Sequence, residues 1–223
     1  MVSTSLRVLF LGKRGDQRCA QARAWCEQHF GEVAYFDGDW GEPLPEAARQ
    51  WRGDLIISYL CRWVVPLGVL ERAGLAAINF HPAPPEYPGI GCNNFALYED
   101  APTYGATCHH MAARVDTGNI IQVKRFDMAP DETVASLLER TYAAMAALFE
   151  EVMAGFVRSG SFAQSGEKWT RPPFTRAQFE ALRRIEPGMP ADEVARRVKA
   201  TDYPPWGPYV ELHGHMFQLV PKA

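Results

Sequence analysis

LIISYLCRWVVPLGVLERAGLAAINFH, running from Leu55 to His81, decides the architecture. Leu55 to Leu60 is a short apolar run of the kind that forms a buried strand. Pro66 then opens a short helix to Ala73, at a position where a missing backbone amide costs nothing. Leu75 to Phe80 returns as a further strand. Upstream, Leu6 to Gly12 (LRVLFLG) reads as a strand, and Asp16 to Phe30 as a helix with apolar spacing at Cys19, Ala22, Trp25, Cys26 and Phe30. Val33 to Phe36 supplies another strand. Short apolar runs alternating with helices predict an α/β chain with a mostly parallel sheet flanked by helices, and such sheets take their ligands at the carboxyl ends of the strands. Asn79 and His81 lie at such an end.

Working outward, Pro82 to Gly91 holds four prolines and two glycines (Gly89, Gly91), which excludes helix and central strand and predicts a stiff loop. Asn94 to Glu99 reads as a short helix. Ala106 to Ala112 and Ile120 to Phe126 read as a hairpin across the Val115 to Asn119 turn, with Asp116 in the turn. Asp131 to Val157 is the clearest helix, with Asp131 as N-cap and one apolar face built from Val134, Leu137, Leu138, Tyr142, Met145, Leu148, Phe149 and Val152. After Gly155 the composition turns to Ser, Gly, Lys and Pro through Pro173, the mark of a linker. Two short helices (Thr175 to Arg184, Ala191 to Ala200) and a hairpin from Tyr209 to Leu219 follow. The expected division is a main domain over 1–157, a linker over 158–174 and a small helix and β-hairpin appendage over 175–223.

The chain has 223 residues, 47% of them hydrophobic, which is enough for a genuine core. Its net charge of −3 offers no broad basic surface for nucleic acid or an anionic membrane. The apolar run near the N-terminus, Val8 to Gly12, is too short for a signal sequence or a membrane span, so the reading is cytoplasmic. Five cysteines without CxxC spacing read as reduced and mostly buried thiols. Cys108-His109-His110 and the pair His213 and His215 are weak metal candidates, because adjacent residues seldom point at one ion and the second pair flanks a glycine turn; no metal is expected. The Gly12 to Gly15 turn lacks both the third glycine of GxGxxG and the GK[ST] of a P-loop.

Two residues apart on a strand, Asn79 and His81 point to the same side. An amide can donate to an oxyanion, and an imidazole can donate a second hydrogen bond or shuttle a proton near neutral pH. Asp116 can orient that imidazole or take a proton from an attacking amine. Such a layout suits acyl or formyl transfer. Spacing alone equally allows two satisfied polar residues at a strand-end turn. A serine nucleophile has no GxSxG, and Cys108 beside His109 is a poor dyad because strand neighbours point apart.

Three stretches carry a resemblance: SYLCRWVVPLGVLERAGLAA (Ser58 to Ala77), INFHPAPPEYPGIG (Ile78 to Gly91) and YGATCHHMAARVDTGNII (Tyr104 to Ile121). Together they resemble the catalytic domain of the 10-formyltetrahydrofolate-dependent formyltransferases, continuously from about Leu55 to Val157. The resemblance implies a Rossmann-like fold, 10-formyltetrahydrofolate as cosubstrate, and Asn79, His81 and Asp116 as the catalytic triad. It also implies a folate pocket built from Trp63, Val64, Val65, Pro66 and Leu67 with Ala112, Ala113, Arg114 and Val115.

Two departures bear on the acceptor. Pro82-Ala-Pro-Pro85 stands where the family commonly has Ser-Leu-Leu-Pro, and Pro88-Gly89 where Arg-Gly is common. The acceptor side, with Pro84, Tyr87 and Gly89, is therefore expected to differ from the tRNA and purine enzymes. Neither the β-barrel that holds tRNA nor the regulatory N-terminal domain of a deformylase is expected. Arg196 to Gly214 (RRVKATDYPPWGPYVELHG) resembles the tail of bacterial sugar N-formyltransferases, which implies a nucleotide-linked amino sugar, lipopolysaccharide or glycan building, and a possible homodimer. On that reading Arg196, Arg197 and Lys199 meet a diphosphate, while Tyr203, Trp206 or Tyr209 stacks on a base. Another small amine, or a folate- or nucleotide-binding module without turnover, is the alternative.

Overall fold

The computed structural model describes residues 5–220. Residues 1–4, the start of the expected main domain, and 221–223, the end of the expected appendage, lie outside the described residues. From the amino end the elements are β1 (Arg7–Lys13), α1 (Gln17–His29), β2 (Glu32–Gly38), α2 (Glu46–Gln50) and β3 (Gly53–Tyr59). There follow α3 (Leu67–Leu70), β4 (Ala73–His81), α4 (Cys92–Tyr98), β5 (Thr103–His110), β6 (Ile120–Asp127) and α5 (Val134–Ser159). The chain closes with α6 (Arg176–Arg183), α7 (Ala191–Thr201), β7 (Tyr209–Leu212) and β8 (His215–Gln218). Six strands form one sheet in the order β2-β1-β3-β4-β5-β6, and β7 and β8 form a separate hairpin. The first four strands of the sheet are parallel, while β5 and β6 run antiparallel to their neighbours.

The apolar runs are buried on both faces, as parallel strands covered by helices require. Phe10, Ile57, Ile78, Phe80 and Cys108 pack against Cys19 and Cys26 of α1 and Met145, Phe149 and Val152 of α5. Their neighbours Leu9, Leu11, Ile56 and Ala77 face the other way, onto Ala48 of α2 and Val65, Val69 and Leu70 beside α3. A third cluster joins Phe95 and Leu97 of α4 to Phe179 and Leu182 of α6 and Ala200 of α7. The carboxy-terminal helices thus share a core with α4.

Some boundaries differ from expectation. The cap of α5 is Thr133, whose hydroxyl accepts from the Ser136 amide while Ser136 reciprocates, and Asp131 is left exposed. The segment read as a linker is a packed strap. Phe162 stacks on Phe156, Phe174 stacks on Phe95 at 3.8 Å, and the Ser165 amide donates to Ile120 O at 3.0 Å. Three aromatic residues set among Ser, Gly, Lys and Pro were enough to anchor it. No helix of the described residues is long and apolar enough to cross a membrane.

Candidate active site

Strand alternation sends Ile78 and Phe80 into the α1/α5 core, so Asn79 and His81 emerge on the opposite face. Antiparallel pairing sets His109 of β5 directly across from Asn79, and Thr107 across from His81. One face of β4 and β5 therefore collects an amide, two imidazoles and a hydroxyl. The helices α2 and α3 cover this face mainly over β1 and β3. Over β4 and β5 the strap takes their place, and Trp169 packs edge-to-face on His109 (5.0 Å between ring centres) and on His81 (5.9 Å).

Asp116 enters from the β5–β6 turn with φ +48°, a left-handed conformation that a non-glycine residue holds only when its surroundings impose it. Three contacts impose it. The Gly89 amide donates to Asp116 Oδ2 at 2.8 Å, the Trp169 indole N–H donates to Gly118 O at 2.8 Å, and the His110 amide donates to Asn119 O at 2.9 Å. Gly118 runs so close to β5 that an added Cβ would stand 1.8 Å from the His110 carbonyl oxygen, so no other residue fits there.

The polar groups converge on the Asp116 carboxylate. Its Oδ2 lies 3.4 Å from His81 Nδ1 and its Oδ1 lies 3.3 Å from His109 Nε2. His81 Nε2 donates to the Tyr87 carbonyl at 3.1 Å, and His109 Nδ1 donates to the His110 carbonyl at 2.8 Å; a carbonyl only accepts, so each of these nitrogens carries a hydrogen. Asn79 Nδ2 lies 3.1 Å from His109 Nε2. Burial works to raise the Asp116 pKa, but the imidazoles of His81 and His109 and the Gly89 amide outweigh it and hold the carboxyl at about 2. The side chain is therefore an ionised carboxylate at neutral pH. His81, His109 and Asp116 are buried, whereas Asn79 is half-buried and its side-chain nitrogen has no neighbour in hydrogen-bond range among the described residues other than His109 Nε2. An amide hydrogen of Asn79 is therefore available to a bound carbonyl. No thiol competes as a nucleophile among the candidates: burial pushes Cys19, Cys61 and Cys92 up to about 11 and Cys108 well above its ordinary value.

The structure brings Asn79, His81 and Asp116 together and distributes the other expected residues unevenly. In the first loop Val64 (71% exposed), Pro66 and Leu67 (48%) present an apolar surface, and Val115 does so in the second. Trp63 and Val65 do not. The Trp63 ring fills the space above Gly38, where an added Cβ would stand 2.2 Å from it, and its N–H donates to Glu42 O at 3.0 Å. Val65 is buried beside α3. A cavity of about 690 Å³ is lined by Ala113, Arg114 and Val115 on one side and Arg171 to Thr175 and Gln178 on the other. A polar cleft of about 560 Å³ at the Lys13 to Arg18 turn has its charges already paired, Arg14 with Glu42 and Lys13 with Asp16.

On the acceptor side, Pro84 and Tyr87 are buried and act as wall: the Tyr87 hydroxyl donates to Glu99, and its carbonyl holds His81. Gly89 serves Asp116 directly. The three cations of α7 are committed within the fold. Arg197 bonds Glu193 at 2.5 Å and the carbonyls of Ala181 and Arg184, Arg196 meets Glu193, and Lys199 meets Asp100. Tyr203 and Trp206 are exposed, and Tyr209 sits under the Arg183 guanidinium. Arg176 lies between the rings of Trp40 (5.7 Å) and Trp206 (6.0 Å), without a carboxylate partner among the described residues.

Sequence reasoning missed His109, Trp169, Trp40 and Arg176. For His109 a signal existed: it shares the alternation of Thr107, opposite to buried Cys108. Among the described residues, no group of three or more His, Cys, Asp and Glu side chains is arranged to hold a metal.

The GDP-perosamine N-formyltransferase of Brucella melitensis is 27% identical over 181 residues, 80% of this chain and 68% of that protein. The methionyl-tRNA formyltransferase of Burkholderia multivorans is 28% identical over 163 residues, 73% of this chain and 50% of its own length. The chain spans between 20% and 56% of the first curated relatives it matches. An N-formyltransferase from Helicobacter canadensis, crystallised with folinic acid and dTDP-3-aminofucose, shares the fold with a TM-score of 0.71 at 16% identity, over 94% of this chain and 85% of that one. A family model described as formyl transferase matches residues 40–153, just over half of the chain, and the chain belongs to that formyltransferase family.

Proposed function

We propose that this protein transfers the formyl group of 10-formyltetrahydrofolate to the amine of a nucleotide-linked amino sugar. The observation that carries the reading is the convergence of the His81 and His109 imidazoles on an ionised, buried Asp116, with the Asn79 amide against His109. In this arrangement the free amide hydrogen of Asn79 donates to the formyl oxygen as the acceptor nitrogen adds to the formyl carbon. The His81 N–H held by the Tyr87 carbonyl is exchanged for the oxyanion as charge builds there, because a charged acceptor is the stronger partner. Asp116 receives the proton of the attacking amine, and the proton ends on folate N10 as the C–N10 bond breaks. No protein nucleophile is needed.

The donor fits the residues present. Val64, Pro66, Leu67 and Val115 offer apolar surface with loop amides beside it, which suits a flat pterin. Support for the acceptor class comes from the names of the relatives and from Arg176, whose guanidinium between two indoles suits a base and its phosphates better than the paired cations of α7. The β7–β8 hairpin exposes Leu212 and Phe217 on one side, which supports self-association through that face.

The test is tetrahydrofolate release from 10-formyltetrahydrofolate with a panel of nucleotide-linked amino sugars, the product identified by mass spectrometry. Turnover dependent on one sugar supports both halves of the reading. Folate binding without turnover on any sugar removes the acceptor class, and no folate binding removes the donor as well.

A further inference from the structure

The strap between α5 and α6 binds both loops that frame the carboxylate. On the Asp116 side, the Ser165 amide donates to Ile120 O and the Trp169 indole to Gly118 O. On the proline-loop side, the Thr170 amide donates to Pro85 O at 3.3 Å, and Phe174 exchanges backbone hydrogen bonds with Pro88 and Ile90. Between these anchors the Trp169 ring lies edge-to-face on both buried imidazoles. Trp169 thus covers the face of His81 and His109 that no helix covers, and its N–H pins the turn that carries Asp116.

We propose that Trp169 is a positioning residue that decides whether the formyl group goes to an amine or to water. The proposal rests on the formyl-transfer reading above. Amine and water attack the same carbon. With the amine, an N–C bond forms, the C–N10 bond breaks and the amine proton ends on N10. With water, an O–C bond forms, the same C–N10 bond breaks, one water proton ends on N10 and the other goes to solvent, and formate and tetrahydrofolate leave. Both reactions use the oxyanion donor on Asn79, so a residue that served only the fold or the oxyanion would slow the two alike. Trp169 acts on the difference between them, because its indole occupies the space from which water would reach the imidazoles and Asp116.

The test compares Trp169→Phe, Trp169→Leu and Trp169→Ala with wild type, measuring formate and formylated amine from 10-formyltetrahydrofolate in the absence and presence of amino-sugar acceptors. Trp169→Ala is expected to slow transfer about tenfold to a hundredfold through loosened geometry while raising the ratio of formate to formylated product. Trp169→Phe, which keeps a ring over the histidines but loses the bond to Gly118, slows transfer with a smaller change in that ratio. A readout independent of turnover is the solvent exchange of the His109 Nδ1 proton by NMR, which accelerates in Trp169→Ala. Equal slowing of transfer and hydrolysis, or unchanged proton exchange, overturns the proposal. If thermal denaturation shows that Trp169→Ala does not fold, Trp169→Leu carries the same two measurements. A wild-type protein that binds folate yet forms neither formate nor formylated amine overturns the transfer reading and this proposal with it.

Discussion

Asp116 Oδ2 stands 3.4 Å from His81 Nδ1, and the second oxygen of the same carboxylate stands 3.3 Å from His109 Nε2. One buried charge is thereby shared between two rings from different strands, and the Gly89 amide fixes it in place. Asp116→Asn keeps the shape and can still accept from Gly89, but it loses the charge that faces both rings. We expect kcat to fall by roughly 10²–10⁴ with folding intact, read from tetrahydrofolate release beside circular dichroism. A near-normal rate would contradict the role given to Asp116.

The same group sets an acid limit on stability. Its folded pKa, about 2, is lower than the ordinary carboxylate value of about 3.9, so the unfolded chain takes up its proton first as pH falls. The stabilisation is present above about pH 4 and is lost between roughly pH 4 and pH 2, and it amounts to about 2 kcal/mol. Urea unfolding across that window should show a steeper loss of stability in wild type than in Asp116→Asn. Parallel curves would contradict it.

Asn79→Ala removes the amide donor that faces the site. The expected loss in kcat is about 10²–10³, the usual cost of an oxyanion donor, with little change in folate KM. A rise in KM at constant kcat would instead mean that Asn79 only binds substrate.

Gly89→Ala strains the backbone, because φ is +92° and the new Cβ would stand 2.3 Å from the Phe174 carbonyl oxygen. Forcing a side chain into that conformation costs about 1–3 kcal/mol and pulls the amide away from Asp116. A lower Tm together with a lower kcat is expected; loss of stability alone would separate the loop from the carboxylate.

Arg176 and Arg197 are expected to part company. Arg176→Gln should raise the acceptor KM about tenfold or more, from the ~1.5–3 kcal/mol of a hydrogen bond to a charged group, and leave Tm unchanged. Arg197→Met takes one of its donors from Glu193 and leaves the carbonyls at the end of α6 without the guanidinium that binds them, so it should lower Tm and leave the acceptor KM alone. The reverse pattern would return the acceptor site to α7.

How far the site was legible follows from the range of each interaction. Asn79 and His81 were readable because the two-residue period of a strand is local, and Asp116 because it sits in a turn with its own signals. His109 belongs to the same face, yet it joins the site only once β5 pairs with β4, a contact that residue spacing does not encode. The cations of α7 show the converse. Charge on a helix is visible in sequence, but whether Glu193 and the last turn of α6 consume it depends on which elements dock.

The amino-acid sequence by itself determined the α/β alternation, the apolar strands and the strand end that bears Asn79 and His81, since these rest on periodicity, proline and glycine within a few residues. Only the tertiary structure decided that the polar segment after α5 is a strap with Trp169 over the two imidazoles, and that Trp63 faces inward. Each of those outcomes depends on space left open by residues far away in the chain: Gly38 admits one indole, and the face of β4 and β5 beyond α3 admits the other.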